Sequence, residues 1–286
     1  MWLLQLVIFL FVLFTYLHLC HENKVSNDLE LYQLDEYNKY KLDKIYLIKQ
    51  PVLIQNVEES IFKNNILRKL DDNSLESSSL FNITHRDMSN NILNYKKIQY
   101  IKFNIGMSDN NQQFLKDTRF IDVLSNNDLL LRPNFTINRD YDIIFGNNTV
   151  SPLKYEIANR NFLYITEGEV EIKLCVPRDE EYLCLDKDYE YLEYRSLLNP
   201  WNPQKEYMDS FNKIRFITLK MSKGDLLYLP PFWLYSIKFI TKTIICKFQY
   251  TTLINFISCI PEKIMYFLQN QNIEFKTNDS ELKIKI

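Results

Sequence analysis

Histidine, the residue that most often binds transition metals and moves protons near neutral pH, occurs three times, at His18, His21 and His85. No histidine follows position 85, which excludes a multi-histidine metal site in the C-terminal two-thirds of the chain. A Ser/His/Asp or Cys/His arrangement would have to recruit His85, and no nucleophile elbow accompanies it. Cys175, Cys184, Cys246 and Cys259 show no zinc-ligand spacing. Cys175 and Cys184 are near enough in sequence to close a disulfide, but ordinary buried thiols are the simpler reading. The acidic, tyrosine-rich run from Asp179 to Glu193 lacks the spacing and the glycine of a calcium loop, and reads as a solvated loop. With four glycines in 286 residues, there is neither G-x-G-x-x-G nor G-x-x-x-x-G-K-[ST], so glycine-rich phosphate loops are absent.

Composition bounds the rest. The chain carries 34 Lys+Arg against 36 Asp+Glu, a net charge of -2, which argues against a duplex nucleic-acid binder working by phosphate neutralisation. Hydrophobic residues make up 46% and aromatics 14%, enough to exclude wholesale disorder and to fill one sizeable core. The abundant Asn, Ile, Lys and Tyr read as a compositional bias of the source.

Any chemistry would have to be positioned mainly by strands. Pro51 to Val57 reads as a strand, 60–71 as a helix, 71–79 as a loop, Ile98 to Ile105 as a strand by alternation, and 112–131 mainly as a helix. From residue 141 onward short strands alternate with turns: 141–145, 162–166, 169–176, 214–221, 225–229, 234–240 and 243–250. Gly168 and Gly224 mark tight turns. Many short strands at this spacing predict a β-sandwich or barrel. Residues 251–271 are apolar at helical spacing, with Pro261 breaking the run.

Specific stretches sharpen this. Phe145-Gly146-Asn147-Asn148-Thr149-Val150-Ser151-Pro152-Leu153-Lys154-Tyr155-Glu156 resembles the metal-site strand, F-G-x-x-x-x-[ST]-P-L-H-x-[DE], of the JmjC/cupin-like oxygenases. Asn161-Phe162-Leu163 with Gly168 resembles their hairpin, and Val176-Pro177-Arg178-Asp179 a strand end. Ser196-Leu197-Leu198-Asn199-Pro200 resembles the segment before the last strands. Lys223-Gly224-Asp225-Leu226-Leu227-Tyr228-Leu229-Pro230-Pro231-Phe232-Trp233 is similar to P-G-D-x-L-[FY]-[IL]-P-P-x-W-W-H, and Pro51-Val52-Leu53-Ile54 to the family's first strand. The order holds from about residue 45 to 250. The resemblance implies a mainly β double-stranded β-helix (cupin/jelly-roll) barrel with flanking α-helices, of the asparaginyl-hydroxylase-like kind.

That family implies Fe(II) held by two histidines and a carboxylate, with 2-oxoglutarate as co-substrate. Carried over residue by residue, the pattern fails at the histidines. Lys154 stands at the first, Glu156 at the carboxylate and Tyr235 at the second. The positions that often hold the 2-oxoglutarate anchor are Glu169, Val170 and Glu171, with Lys173 further on. Ser151, Asn161, Trp233 and Lys247 are expected to line the pocket. The expectation is a metal-free polar plug in which Lys154 pairs with Glu156 or the Tyr235 phenol, with Lys154 turned to solvent at a strand edge as the competing placement. No catalytic residue, metal or cofactor is assigned.

Residues 1–20, MWLLQLVIFLFVLFTYLHLC, are long and apolar enough to span a bilayer. No Lys or Arg precedes the run and no small-x-small cleavage site follows it, so membrane anchor, cleaved signal and buried core helix all stay open, with the anchor preferred. Sequons at Asn82, Asn134, Asn147 and Asn278 are about as many as chance gives. The expected organisation is an anchor or signal over 1–20, a linker over 21–45, a JmjC/cupin-like domain with a C-terminal helix over 46–270, and a tail over 271–286. The expected role is a membrane-associated or secretory-pathway pseudoenzyme that binds or scaffolds an unknown protein partner. The resemblance implies a homodimer through the C-terminal helix. The alternatives are an active Fe(II)/2-oxoglutarate-dependent hydroxylase acting on a protein or other macromolecule, and a metal-free small-ligand-binding cupin.

Overall fold

A computed structural model describes residues 2–34, 39–55, 57, 124–125, 128–189, 193–269 and 271. The expected helix at 60–71, loop at 71–79, strand at 98–105 and most of the helix at 112–131 lie outside these residues, as does His85.

An apolar helix, α1 (Trp2–Asn23), precedes the body. Sheet A holds six strands in the order β1 (Tyr32–Leu34), β2 (Val52–Ile54), β11 (Leu226–Leu229), β6 (Arg160–Glu167), β13 (Thr243–Thr252) and β3 (Thr136–Gly146). Sheet B runs β10 (Ile217–Ser222), β7 (Glu169–Cys175), β12 (Leu234–Phe239), β5 (Lys154–Tyr155), β9 (Glu193–Ser196) and β8 (Leu185–Asp188), with β4 (Thr149–Val150) pairing β12 beside this path. Every described pairing is antiparallel except β1 with β2.

Period-two alternation sets the layers. On β7, Val170, Ile172 and Leu174 point inward to meet Leu163, Ile165, Leu227 and Ile245 of sheet A in one inter-sheet core. The other face of sheet A carries Phe162, Tyr228, Cys246, Phe248 and Tyr250, covered by Tyr46 of the helix α2 (Lys39–Ile48) and by Leu124 and Leu131. The outer face of sheet B buries Tyr155, Cys175, Tyr194 and Leu234 against Leu183, Leu198 and Ile214. The strands expected from 141 onward are present with shifted ends. The single barrel expected for them is not closed: among the described residues β1 and β3 end one sheet, and β10 and β8 the other.

Tight turns carry the chain from sheet to sheet. Gly168, at φ 87°, joins β6 of sheet A to β7 of sheet B, and a Cβ there would lie 2.3 Å from the Lys242 carbonyl oxygen. At the turn after β10 the Asp225 carboxylate accepts hydrogen bonds from the Ser222 N–H (2.8 Å) and hydroxyl (3.2 Å). Gly146 holds the sheets close for a different reason, since a Cβ on it would sit 2.2 Å from the buried Phe239 ring.

Two segments carry more structure than their sequence suggests. Residues 21–45, read as a linker, contain β1 and the start of α2, and Val25, Leu29 and Leu31 pack against the inter-sheet core. The Asp179–Glu193 run, read as a solvated loop, follows into β8 and β9 from a 3-10 helix over Pro177–Tyr182. Its Leu183 is buried and its Tyr189 packs edge-on to Tyr194, which anchors the segment while Glu181, Asp186 and Lys187 stay exposed. Cys175 is buried and Cys184 exposed, and all five cysteines are free thiols.

The C-terminal helix breaks where proline predicts. α4 (Leu253–Ser258) ends because Pro261 has no N–H for the Ile257 carbonyl, which accepts from the Cys259 N–H instead, and helical turns resume over 260–269. A short helix, α3 (Met208–Phe211), lies in the connection before β10.

Candidate functional site

Tyr155 packs in the outer core of sheet B, so its neighbours Lys154 and Glu156 point between the sheets. Tyr235 on β12 pairs with Lys154 in register. It points to the same side, because Leu234 beside it belongs to the outer core. On sheet A, Cys246 and Phe248 face α2, which sends the intervening Lys247 toward sheet B. The four side chains meet. The Glu156 carboxylate accepts a hydrogen bond from Lys247 Nζ at 2.7 Å and from the Tyr235 hydroxyl at 3.0 Å through the same Oε1, and Lys154 Nζ lies 3.5 Å from that atom. All four are buried, Lys247 to 1% exposure. Lys154 is thus inside and ion-paired, not at a solvent-facing strand edge.

Two further charges belong to this cluster and were not singled out in the sequence. Asp142 on β3 pairs in register with Lys247, and Arg195 on β9 pairs with Lys154; both are buried. The signal for Asp142 is its place between Tyr141 and Ile143, both of which face α2, so in a strand buried on both sides Asp142 faces the inter-sheet layer. The other expected pocket residues do other work. Ser151 ties its segment to β12, its hydroxyl accepting from Ile237 N–H at 2.7 Å and its carbonyl from Ser236 Oγ at 2.6 Å. The Asn161 side chain donates to the Ala158 and Leu229 carbonyls and accepts from Gln249. Trp233 is inter-sheet packing. Glu171 points outward to Lys220 and Lys238, and Lys173 Nζ donates to the Pro200 carbonyl over the Trp201 ring.

The electrostatics follow from burial. Burial alone pushes the Glu156 carboxyl up, but the ammonium groups of Lys247 and Lys154 and the two hydrogen bonds outweigh it and hold the carboxyl down at about 2. Burial pushes Lys154 down to about 8, against the pull of Glu156 and with repulsion from Lys247 and Arg195. Burial, then the Glu156 charge, holds the Tyr235 phenol well above its ordinary range. Between pH 8 and 10.5 the unfolded chain keeps a proton on Lys154 that the folded chain has released, so this residue's contribution to stability rises with pH across that window. Relative to Lys154→Met, the wild type is therefore expected to gain on the order of 2 kcal/mol between about pH 7 and pH 9.5. Urea unfolding of both proteins across that range reads the difference, and parallel profiles would show that Lys154 is not desolvated.

A protein-family description, the cupin-like domain, matches residues 55–256. The chain belongs to the cupin-like domain family. No curated protein matches it. The match covers every strand of both sheets except β1 and β2, and all of the charge cluster.

The chemistry of this cupin-like chain's donor set bears on the iron that its resemblance implies. Among the described residues no three His, Cys, Asp or Glu side chains converge as a metal-binding group. Where two neutral imidazoles would be needed, the cluster presents an ammonium and a phenol, and its one central carboxylate is taken by two lysines. At ~4 Å an ammonium repels a unit charge by about 4 kcal/mol at an effective dielectric of 20, and a divalent ion doubles that. These residues do not fit ferrous iron.

Proposed function

We propose that this cupin-like chain is a non-catalytic, membrane-anchored member of its family, and that it acts by binding or scaffolding a protein partner. The observation that carries the reading is the Glu156 carboxylate, shared by Lys247, Tyr235 and Lys154 within hydrogen-bonding or ion-pair distance. A carboxylate so committed is already charge-compensated by two ammonium groups, which any incoming cation would have to displace. In this reading the two facing sheets are the halves of a double-stranded β-helix, and the ion cluster closes the space where active relatives hold iron and 2-oxoglutarate. The membrane part of the reading rests on α1, whose residues Trp2–Glu22 are long and apolar enough to cross a bilayer and are not buried against the body.

Anaerobic titration of the purified chain with ferrous iron, followed by a search for succinate formed from 2-oxoglutarate, tests the non-catalytic part. Neither stoichiometric iron nor succinate is expected. One iron per chain, lost in both Glu156→Ala and Glu156→Gln, would overturn the reading in favour of an active hydroxylase.

A further inference from the structure

α4 is amphipathic the wrong way round for a helix packed on a soluble body, and over 264–268 the turns after it expose apolar and aromatic side chains on every side. The inward side is polar: the Asn255 side chain donates to the Ile157 carbonyl at 3.2 Å, and the Cys259 thiol lies 3.8 Å from the same oxygen. The outward side is apolar, with Leu253, Phe256, Ile260, Ile264, Phe267 and Leu268 all exposed. Between 253 and 269 the charged residues are Glu262 and Lys263 alone, both half-buried, and Lys263 folds its ammonium over the Phe256 ring. A surface helix normally turns its apolar stripe to the core and its charges to water.

The apolar face extends beyond the helix. β13 leads into α4, and its last residue, Thr252, pairs with Thr136 at the start of β3. Phe135 precedes that pair, 88% exposed and at φ 59°, a left-handed backbone that a phenylalanine rarely adopts. Its ring is thereby held outward on the rim from which α4 departs.

We propose that this face lies in the interfacial layer of a lipid bilayer, so that the C-terminal helix and the Phe135 rim dock the body on the membrane. The occupant is lipid because α4 is in contact with α1, the helix long enough to span. The two apolar surfaces are continuous, and any bilayer that takes in α1 abuts the outward side of α4. A second copy covering α4 alone would leave that continuous surface divided. Burial of large side chains at the acyl boundary supplies the attraction, and the sparse charge on the face offers nothing to oppose it. The inference rests on the reading of α1 as a bilayer anchor.

The test uses the full chain in phosphatidylcholine vesicles, with an environment-sensitive fluorophore on single cysteines and nitroxide-bearing lipid as quencher. In a Cys20→Ser, Cys184→Ser background, labels go on Leu10→Cys, Ile264→Cys, Phe267→Cys and, as an aqueous control, Lys220→Cys. Labels at 264 and 267 are expected to lose emission to nitroxide lipid nearly as much as the label at 10, while the label at 220 keeps its emission. Quenching at 10 with labels at 264 and 267 behaving like 220 would overturn the docking and leave the anchor reading standing. No quenching at any position would overturn both. Labels at 264 and 267 that are blue-shifted yet insensitive to nitroxide would overturn the docking in favour of a second copy on this face.

Discussion

Lys247→Met is expected to lower the melting temperature of the body by on the order of 10 °C, because removing one partner of a buried ion pair costs about 3–5 kcal/mol. The Lys247 ammonium is 1% exposed and sits 2.7 Å from Glu156 Oε1, so its removal uncovers a charge that lies inside the body. What remains is a buried carboxylate with one phenol donor and Lys154 at 3.5 Å. Lys247 also ties the layers together, reaching from β13 of sheet A to the residue that follows β5 of sheet B. Chemical denaturation of the single variant, of Glu156→Gln and of the double variant gives the coupling directly. The double variant should be less damaged than the two single losses summed, since neither charge is then left alone. As a control, Lys238→Met breaks the Lys238–Glu171 pair on the outer surface, where an ion pair is worth at most about 1 kcal/mol. If Lys247→Met is as mild as that control, the cluster is not the closed electrostatic unit described.

Asp128→Ala is expected to be comparably severe, at about 3 kcal/mol or more. Asp128 is fully buried beside sheet A, and its carboxylate accepts from the hydroxyls of Tyr141 at 2.6 Å and Tyr250 at 3.1 Å and pairs with Arg132. Burial first, then the hydrogen bond to Asp128 and its charge, raises both phenols, Tyr141 to about 12. Without the carboxylate two buried hydroxyls and a guanidinium lose their acceptor together. Tyr250→Phe, which removes one donor and leaves the acceptor satisfied, is expected to cost only about 1 kcal/mol. Equilibrium unfolding in urea separates the two, and equal losses would mean that packing of the Tyr250 ring, not the shared carboxylate, sets the stability there.

How far the sequence disclosed this molecule depends on where each signal comes from. β6, β7 and β10 to β13 were legible because strand alternation and the turns at Gly168 and Gly224 are local. β5, β8 and β9 were not. β5 is two residues long, too short to show a period; β8 offers a single apolar residue, Leu185, and β9 a single aromatic, Tyr194, whose partners lie across the outer face of sheet B. The site was legible in part for a similar reason. Lys154, Glu156 and Tyr235 were marked by the positions they occupy in a resemblance, and the structure brings them together. Lys247 was expected only at a pocket wall, because a lone lysine between Cys246 and Phe248 does not say which sheet it faces or that it will reach a carboxylate 91 positions away. Arg195 gave no sequence cue of its own and Asp142 only its place between Tyr141 and Ile143; cross-strand register places both beside the lysines.

The exit of α1 is pinned. Lys49 Nζ donates to the carbonyls of His21 and Glu22 and pairs with the Glu22 carboxylate, and Gln50 donates to Ser26 Oγ just beyond. No free leash therefore separates α1 from the body. With α1 in a bilayer, as proposed, the body could not swing out to sample the surrounding solution, and a partner would have to arrive in two dimensions, drifting along the lipid plane at the height where the body sits.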